Sequence, residues 1–167
     1  YGGVPFKTHN TVGTEETALP RTEADKIFAF IINECDSIKD KIIDDYSADK
    51  DHILAKAETG RANKYAVLAL KAQTALYQAS PLFTQGKTDE EKKNLWGAAV
   101  AANKELIDEA EAKGYGLASS IDLLWDKEYY SNTESSKEIL WARRTGSANT
   151  FEGYNFPVGY SSGQGGN

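Results

Sequence analysis

Asn63-Lys64-Tyr65-Ala66-Val67-Leu68-Ala69-Leu70-Lys71-Ala72-Gln73-Thr74-Ala75-Leu76-Tyr77-Gln78-Ala79-Ser80 is the stretch on which the fold turns. Alanine and leucine dominate it, and neither glycine nor proline interrupts it, so helix propensity is high throughout. Asn63 suits an N-cap, because its side-chain oxygen can accept from an amide of the first turn that has no carbonyl partner. Pro81 closes the stretch: proline lacks the amide donor and disfavours a helical residue before it. Apolar residues lie on more than one side. Ala66, Ala69, Ala72 and Ala79 are small enough to let neighbouring helices come close. The pattern predicts a central helix, packed all round.

Downstream, a polar connection of about a dozen residues, including Gly86, leads to Thr88 and Glu91, which are spaced as a capping box. Leu95, Ala99, Ala102, Leu106 and Ala110 then form an apolar stripe ending near Gly114, widened by Trp96, Val100 and Ile107. Trp96 reads as core. The two helices are expected to form an antiparallel pair. Upstream, Thr22 and Asp25 offer another capping box, and Ile27, Ile31, Ile38 and Ile42 keep helical spacing to about Asp45. Cys35 falls inside that apolar pattern and reads as a small buried hydrophobe. Glu34 alone interrupts the face, and is expected at its border or beside a cation.

The flanks are less regular. Residues 1–21 carry three glycines, two prolines and several threonines, and read as an ordered loop or extended lead-in. Ser47 to Gly60 is polar and acidic, a connector between helices. Ser119-Ser120 can cap one short turn over Ile121 to Trp125. Glu138 to Arg144 alternates like a short strand, with Trp141 in its core face. Beyond Thr145 the last 22 residues hold six glycines and four aromatics, and no helix is expected. The fold class is therefore mainly α: helical over 22–114, irregular and rich in aromatics and glycine over 115–167.

A chain of 167 residues suits one domain, and 40% hydrophobic with 26% charged residues places it among globular rather than disordered sequences. The net charge of −6 argues against a nucleic-acid partner, because a phosphate backbone calls for a basic patch. Lys39, Lys41, Lys92 and Lys93 are interleaved with acids, as on solvated faces. The single Cys35 excludes an internal disulfide and a cysteine-rich zinc site. The longest apolar run, Ile27 to Ile32, is far too short to span a bilayer. The chain opens at Tyr1 without an initiator Met or signal peptide, and reads as a segment of something longer.

Catalytic chemistry is hard to assemble from these residues. His9 and His52 stand in polar, loop-like surroundings with no metal-ligand spacing, and no GxSxG occurs. Asp44-Asp45, Asp89-Glu90-Glu91 and Glu15-Glu16 are adjacent acids, not two carboxyls set across a sugar cleft. Gly163-Gln164-Gly165-Gly166 lacks the Lys and Ser/Thr of a phosphate loop. An enzyme is not expected, and no cofactor is implied. Sugar binding asks for something different: an exposed aromatic face for the C–H side of a pyranose, and polar side chains for its hydroxyls. Phe151, Tyr154, Phe156 and Tyr160, interspersed with Asn149, Asn155 and Gln164, supply both types. They either meet a glycan or pack their loop onto the helices. Phe151, Tyr154, Asn155, Phe156 and Tyr160 are the candidate ligand-binding residues.

Gly60-Arg61-Ala62-Asn63-Lys64-Tyr65-Ala66, followed by Leu68-Ala69-Leu70 and Leu76-Tyr77, resembles the "GRAT-x-x-A…AL-x-A-x-x-x-LY" stretch of the SusD/RagB family. Asn63 stands where Thr is common, and Tyr65 where Gly or Ala is frequent. Tyr1-Gly2-Gly3-Val4-Pro5, Pro20-Arg21-Thr22 leading into Phe30-Ile31, Ala79-Ser80-Pro81-Leu82-Phe83, Trp96-x-x-Ala99-Val100 and Glu138-Ile139-Leu140-Trp141 continue the likeness in order over nearly the whole chain. The resemblance implies tetratricopeptide-like helical packing in an internal segment of one SusD-like domain. It also implies non-catalytic glycan binding at the outer-membrane surface, and delivery to a SusC-like TonB-dependent transporter. The membrane would be reached only through a lipid anchor absent from this segment. The alternative is a helical scaffold that docks the transporter and holds no ligand here. Without the family, the helical pair has the size of one tetratricopeptide-like unit, with no second copy at a fixed period.

Overall fold

The structure is a computed structural model that describes residues 2–8, 19–44, 46, 60–124 and 137–142. It is mainly α. Among the described residues, a short antiparallel pair, β1 (Val4–Pro5) and β2 (Arg21–Thr22), precedes three helices: α1 (Ala24–Ile38), α2 (Lys64–Ala79) and α3 (Asp89–Ala112). A single 3-10 turn follows at Ile121–Leu124, where the Ser120 hydroxyl accepts from the Asp122 amide at 3.3 Å. The alternating segment at residues 137–142 is turn and coil, not strand. The extended pairing lies instead where a lead-in was expected, and Gly3 explains it. A Cβ on Gly3 would stand 2.1 Å from the Thr22 carbonyl oxygen, so only glycine permits the approach.

Helix α2 has the expected bounds. Asn63 caps it, its Oδ1 accepting from the Ala66 amide at 2.9 Å, and Ser80 before Pro81 is extended at φ −66, ψ 154. Helix α3 opens with both halves of the Thr88–Glu91 capping box. It closes on Gly114 at φ +95: the Gly114 amide donates to the Glu111 carbonyl and the Tyr115 amide to that of Ala110, the paired bonds of a Schellman motif.

Helix α1 departs from expectation at both ends. Thr22 is paired with Val4 and lies one residue before the N-cap position, where Glu23 stands without a side-chain capping bond. Asp25 pairs with Lys87 at 2.5 Å instead of completing a box. The helix stops at Ile38, short of Asp45. The amides of Lys41 and Ile42 both donate to the Ile38 carbonyl, and the chain then turns so that the Lys64 amide donates to the Ile43 carbonyl.

The core lies between α2 and α3. Ala72, Ala75 and Ala79 face Ala99 and Ala102, with Ile32, Leu95 and Leu106 packed around them. Lys64 at the start of α2 pairs with Glu109 near the end of α3 at 2.9 Å, so the two run antiparallel. Leu68 is the only large side chain wholly buried among the described residues. Trp96, Val100 and Ile107 do not widen this core. Trp96 is 46% exposed, and all three form a solvent-facing ridge of α3 beside the buried stripe. Nor is α2 enclosed on all sides: Leu70, Leu76 and Tyr77 are exposed.

Four charges from all three helical segments meet at one node. The Lys71 ammonium of α2 lies 2.6 Å from Asp36 of α1 and 2.7 Å from Glu105 of α3. Lys39, just past α1, contacts the same Glu105 and lies 3.1 Å from Asp36, so it is not the freely solvated lysine that the sequence suggested. The hydrogen bond from Lys39, then that from Lys71, hold the Glu105 carboxyl below its ordinary range; Lys71 does the same for Asp36. Burial works against the Lys71 ammonium, yet Asp36 and Glu105 outweigh it and raise its pKa.

Two predictions arise from this architecture. Ala72→Leu should destabilise the fold by about 1–3 kcal/mol through overpacking, whereas Ala101→Leu on the exposed side should change it by less than about 0.5 kcal/mol. Urea melts of the two variants make the comparison. The carboxylates of the node have depressed pKa values when folded. Their contribution is complete above the ordinary carboxylate range and is lost as pH falls through it toward the folded values. Thermal melts should therefore show Tm falling from pH 6 to pH 3, and falling less in Glu105→Gln. An equal fall in both proteins counts against the node.

Candidate functional site

Phe151, Tyr154, Asn155, Phe156 and Tyr160 lie outside the described residues, as do His9, His52, Trp125 and Arg143. The site geometry on view is the open side of α2. Two shallow grooves adjoin there and share Leu70 and Gln73. The first, ≈ 340 Å³, runs against α1 and is lined further by Phe28, Ile31, Thr74, Tyr77 and Phe83. Phe28 and Phe83 form its corner, their rings edge-on with centroids 4.9 Å apart. The second, ≈ 680 Å³, has Ala62, Ala66, Val67 and Ala69 for its floor and the 138–141 segment for its far wall.

That wall is fixed at both ends. The Gly116 amide donates to the Lys137 carbonyl at 3.1 Å, and the Ala118 amide to Glu138 Oε1 at 2.7 Å, which ties the segment to the chain leaving α3. Toward α2, Asn63 Nδ2 donates to the Leu140 carbonyl at 3.2 Å, and Trp141 Nε1 donates to the Gly60 carbonyl at 2.8 Å. Trp141 is thus not the core residue expected from alternation. It is 55% exposed, its one polar atom engaged and much of its ring left open.

Tyr65 is buried at the start of α2, and its ring meets that of Tyr115, just past Gly114, with centroids 4.8 Å apart. The two fill the space between the start of α2 and the end of α3. Burial, chiefly, pushes the Tyr65 phenol upward, so it stays neutral.

Chemically, the grooves offer apolar contact, aromatic faces and the Gln73 amide. Glu138 is the one carboxylate among their lining residues, and its Oε1 is already an acceptor. Among the described residues, no group of three His, Cys, Asp or Glu is placed to hold a metal ion. No helix among them is long and apolar enough to cross a membrane. Sequence reasoning missed the four-charge node and the anchoring of Trp141. One signal for the node was present: Lys71 is the only charged residue in the interior of an alanine–leucine helix, and such a residue needs a partner. Nothing local announced the bonds from Asn63 to Leu140 and from Trp141 to Gly60, which span 77 and 81 residues.

Comparison with protein-family models, with curated proteins and with solved structures finds no match to this chain.

Cys35 is buried, as its place in the apolar pattern predicts, and its pKa is raised by burial first and by Asp36 next. A thiol-specific chromogenic reagent at pH 8 should react with it at least about tenfold more slowly in the folded protein than in urea. Equal rates would place Cys35 at the surface.

Proposed function

We propose that this chain serves non-catalytic capture of oligo- or polysaccharide at the outer-membrane surface, in the manner of SusD-like proteins, for delivery to a SusC-like TonB-dependent transporter. One observation carries the reading: stretches that bear the family resemblance, far apart in sequence, touch in pairs. The Gly60–Asn63 stretch is bonded to Leu140 and Trp141. Val4-Pro5 pairs with Arg21-Thr22, at the point where Gly3 is required. Phe83, just beyond Pro81, packs on Phe28 of α1. The antiparallel α2–α3 pair, closed by alanines, supports a tetratricopeptide-like unit. The open aromatic groove suits a ligand held by contact alone.

The alternative is a helical scaffold that docks the transporter, with no ligand site in this segment. The exposed ridge of Trp96, Val100 and Ile107 favours it, because a helix face of that kind is suited to a protein partner.

Retention on gels cast with candidate polysaccharides separates the two. Under glycan capture the folded protein is retarded, and alanine at Tyr154, Phe156 or Tyr160 weakens retention about three- to tenfold for each ring that stacks on sugar. A folded protein that ignores every glycan on a broad array leaves the scaffold reading. A rise in reducing ends during incubation would show hydrolysis and overturn both.

A further inference from the structure

Asn63 makes two bonds that pull in different directions. Its Oδ1 accepts from the Ala66 amide at 2.9 Å and its Nδ2 donates to the Leu140 carbonyl at 3.2 Å. The two partners fix the amide's orientation, since an amide N–H needs an acceptor and a carbonyl needs a donor. The first bond belongs to α2. The second belongs to the 137–142 segment, whose Trp141 indole donates to Gly60 three residues before Asn63. We propose that Asn63 is a positioning residue: while capping α2 with one atom, it latches with the other the strap that walls the groove and carries Trp141.

Among the described residues, the strap's C-terminal half is held by two directional bonds, Leu140 to Asn63 at the N-cap of α2 and Trp141 to Gly60 just before it. Its N-terminal half is bonded to Gly116 and Ala118 instead. Trp141 is more than half exposed, so packing alone does not fix its ring. With its N–H engaged, the indole offers the groove an aromatic face and no further donor. The strap therefore sets both the groove's width and the orientation of its one indole. Where glycan is the ligand, a point that rests on the proposed function, the latch governs whether a pyranose finds that face in place.

The two roles separate in Asn63→Asp. Aspartate caps a helix as well as asparagine, and its charge suits the N-terminus, but it has no N–H for the Leu140 carbonyl. Hydrogen exchange followed by NMR on the full chain reads both sides. The Trp141 indole N–H reports the latched half of the strap, the Gly116 and Ala118 amides report its separately bonded other half, and the Ala66 and Val67 amides report the cap. In Asn63→Asp the Trp141 strap reporter should exchange about three- to tenfold faster, as for loss of one hydrogen bond, with the cap reporters and the Gly116 and Ala118 amides unchanged. In Asn63→Ala the Trp141 and cap reporters should both loosen. An unchanged Trp141 reporter in Asn63→Asp overturns the proposal, and so does loosening of the cap reporters in that variant. Glycan retention of the same variants forms a separate arm. If the unsubstituted protein binds no glycan, the functional reading falls while the exchange data still decide the latch.

Discussion

The close approach of α2 and α3 through alanine is the constraint from which the rest follows. Ala72, Ala75 and Ala79 on one side face Ala99 and Ala102 on the other, and small residues on both faces are what let a helix pair approach the short end of the usual range of about 8–10 Å. Many small dispersion contacts then replace a few large side chains. The same closeness keeps Leu68 as the one large side chain wholly buried among the described residues. It also leaves the outer edges of both helices, with Leu70, Tyr77, Trp96 and Val100, facing outward.

A core of small residues removes little apolar surface per residue, so polar devices matter more here than in a leucine-filled bundle. Caps satisfy the helix ends at Asn63, at Thr88 with Glu91, and at Gly114. Charge fixes how α1 lies on the pair. Lys71 reaches Asp36 and Glu105 from the middle helix, and Lys39 closes the square, so each carboxylate has two cations and each cation two carboxylates. A partly buried ammonium without such partners would be costly. Lys64 with Glu109, and Lys87 with Asp25, extend the ionic contacts toward the two ends of the helical array.

This arrangement gives the candidate site its form. Because α2 is flanked by α1 and by the 137–142 strap but not covered, its Ala66 and Ala69, with Ala62 just before it, become the floor of a groove rather than part of a core. Side chains that would be buried in a more enclosed helix are thereby offered to a ligand or partner. The wall opposite is held by hydrogen bonds, which are directional and individually modest, whereas the floor is held by a packed helix pair. Rigidity is thus unevenly shared between the two sides of the groove.

The sequence by itself determined the helices and most of their ends. Helical spacing, the Asn63 cap, the Thr88–Glu91 box, Pro81 and Gly114 are local signals, acting within a turn or two, and each appears where it was expected. Buried Cys35, the alanines of α3, and Ala72 and Ala79 of α2 were legible for the same reason, whereas Ala66 and Ala69, expected at a helix contact, line the groove instead. Tertiary structure decided what depends on a distant partner. Thr22 pairs with Val4 instead of capping, α1 ends at Ile38, Trp96 and Trp141 stand exposed, and the residues around Trp141 form a strap rather than a strand. Periodicity says which residues share a face, but not whether another element covers it. Only the three-dimensional arrangement brings Asp36, Lys39, Lys71 and Glu105 together, or sets Asn63 against Leu140.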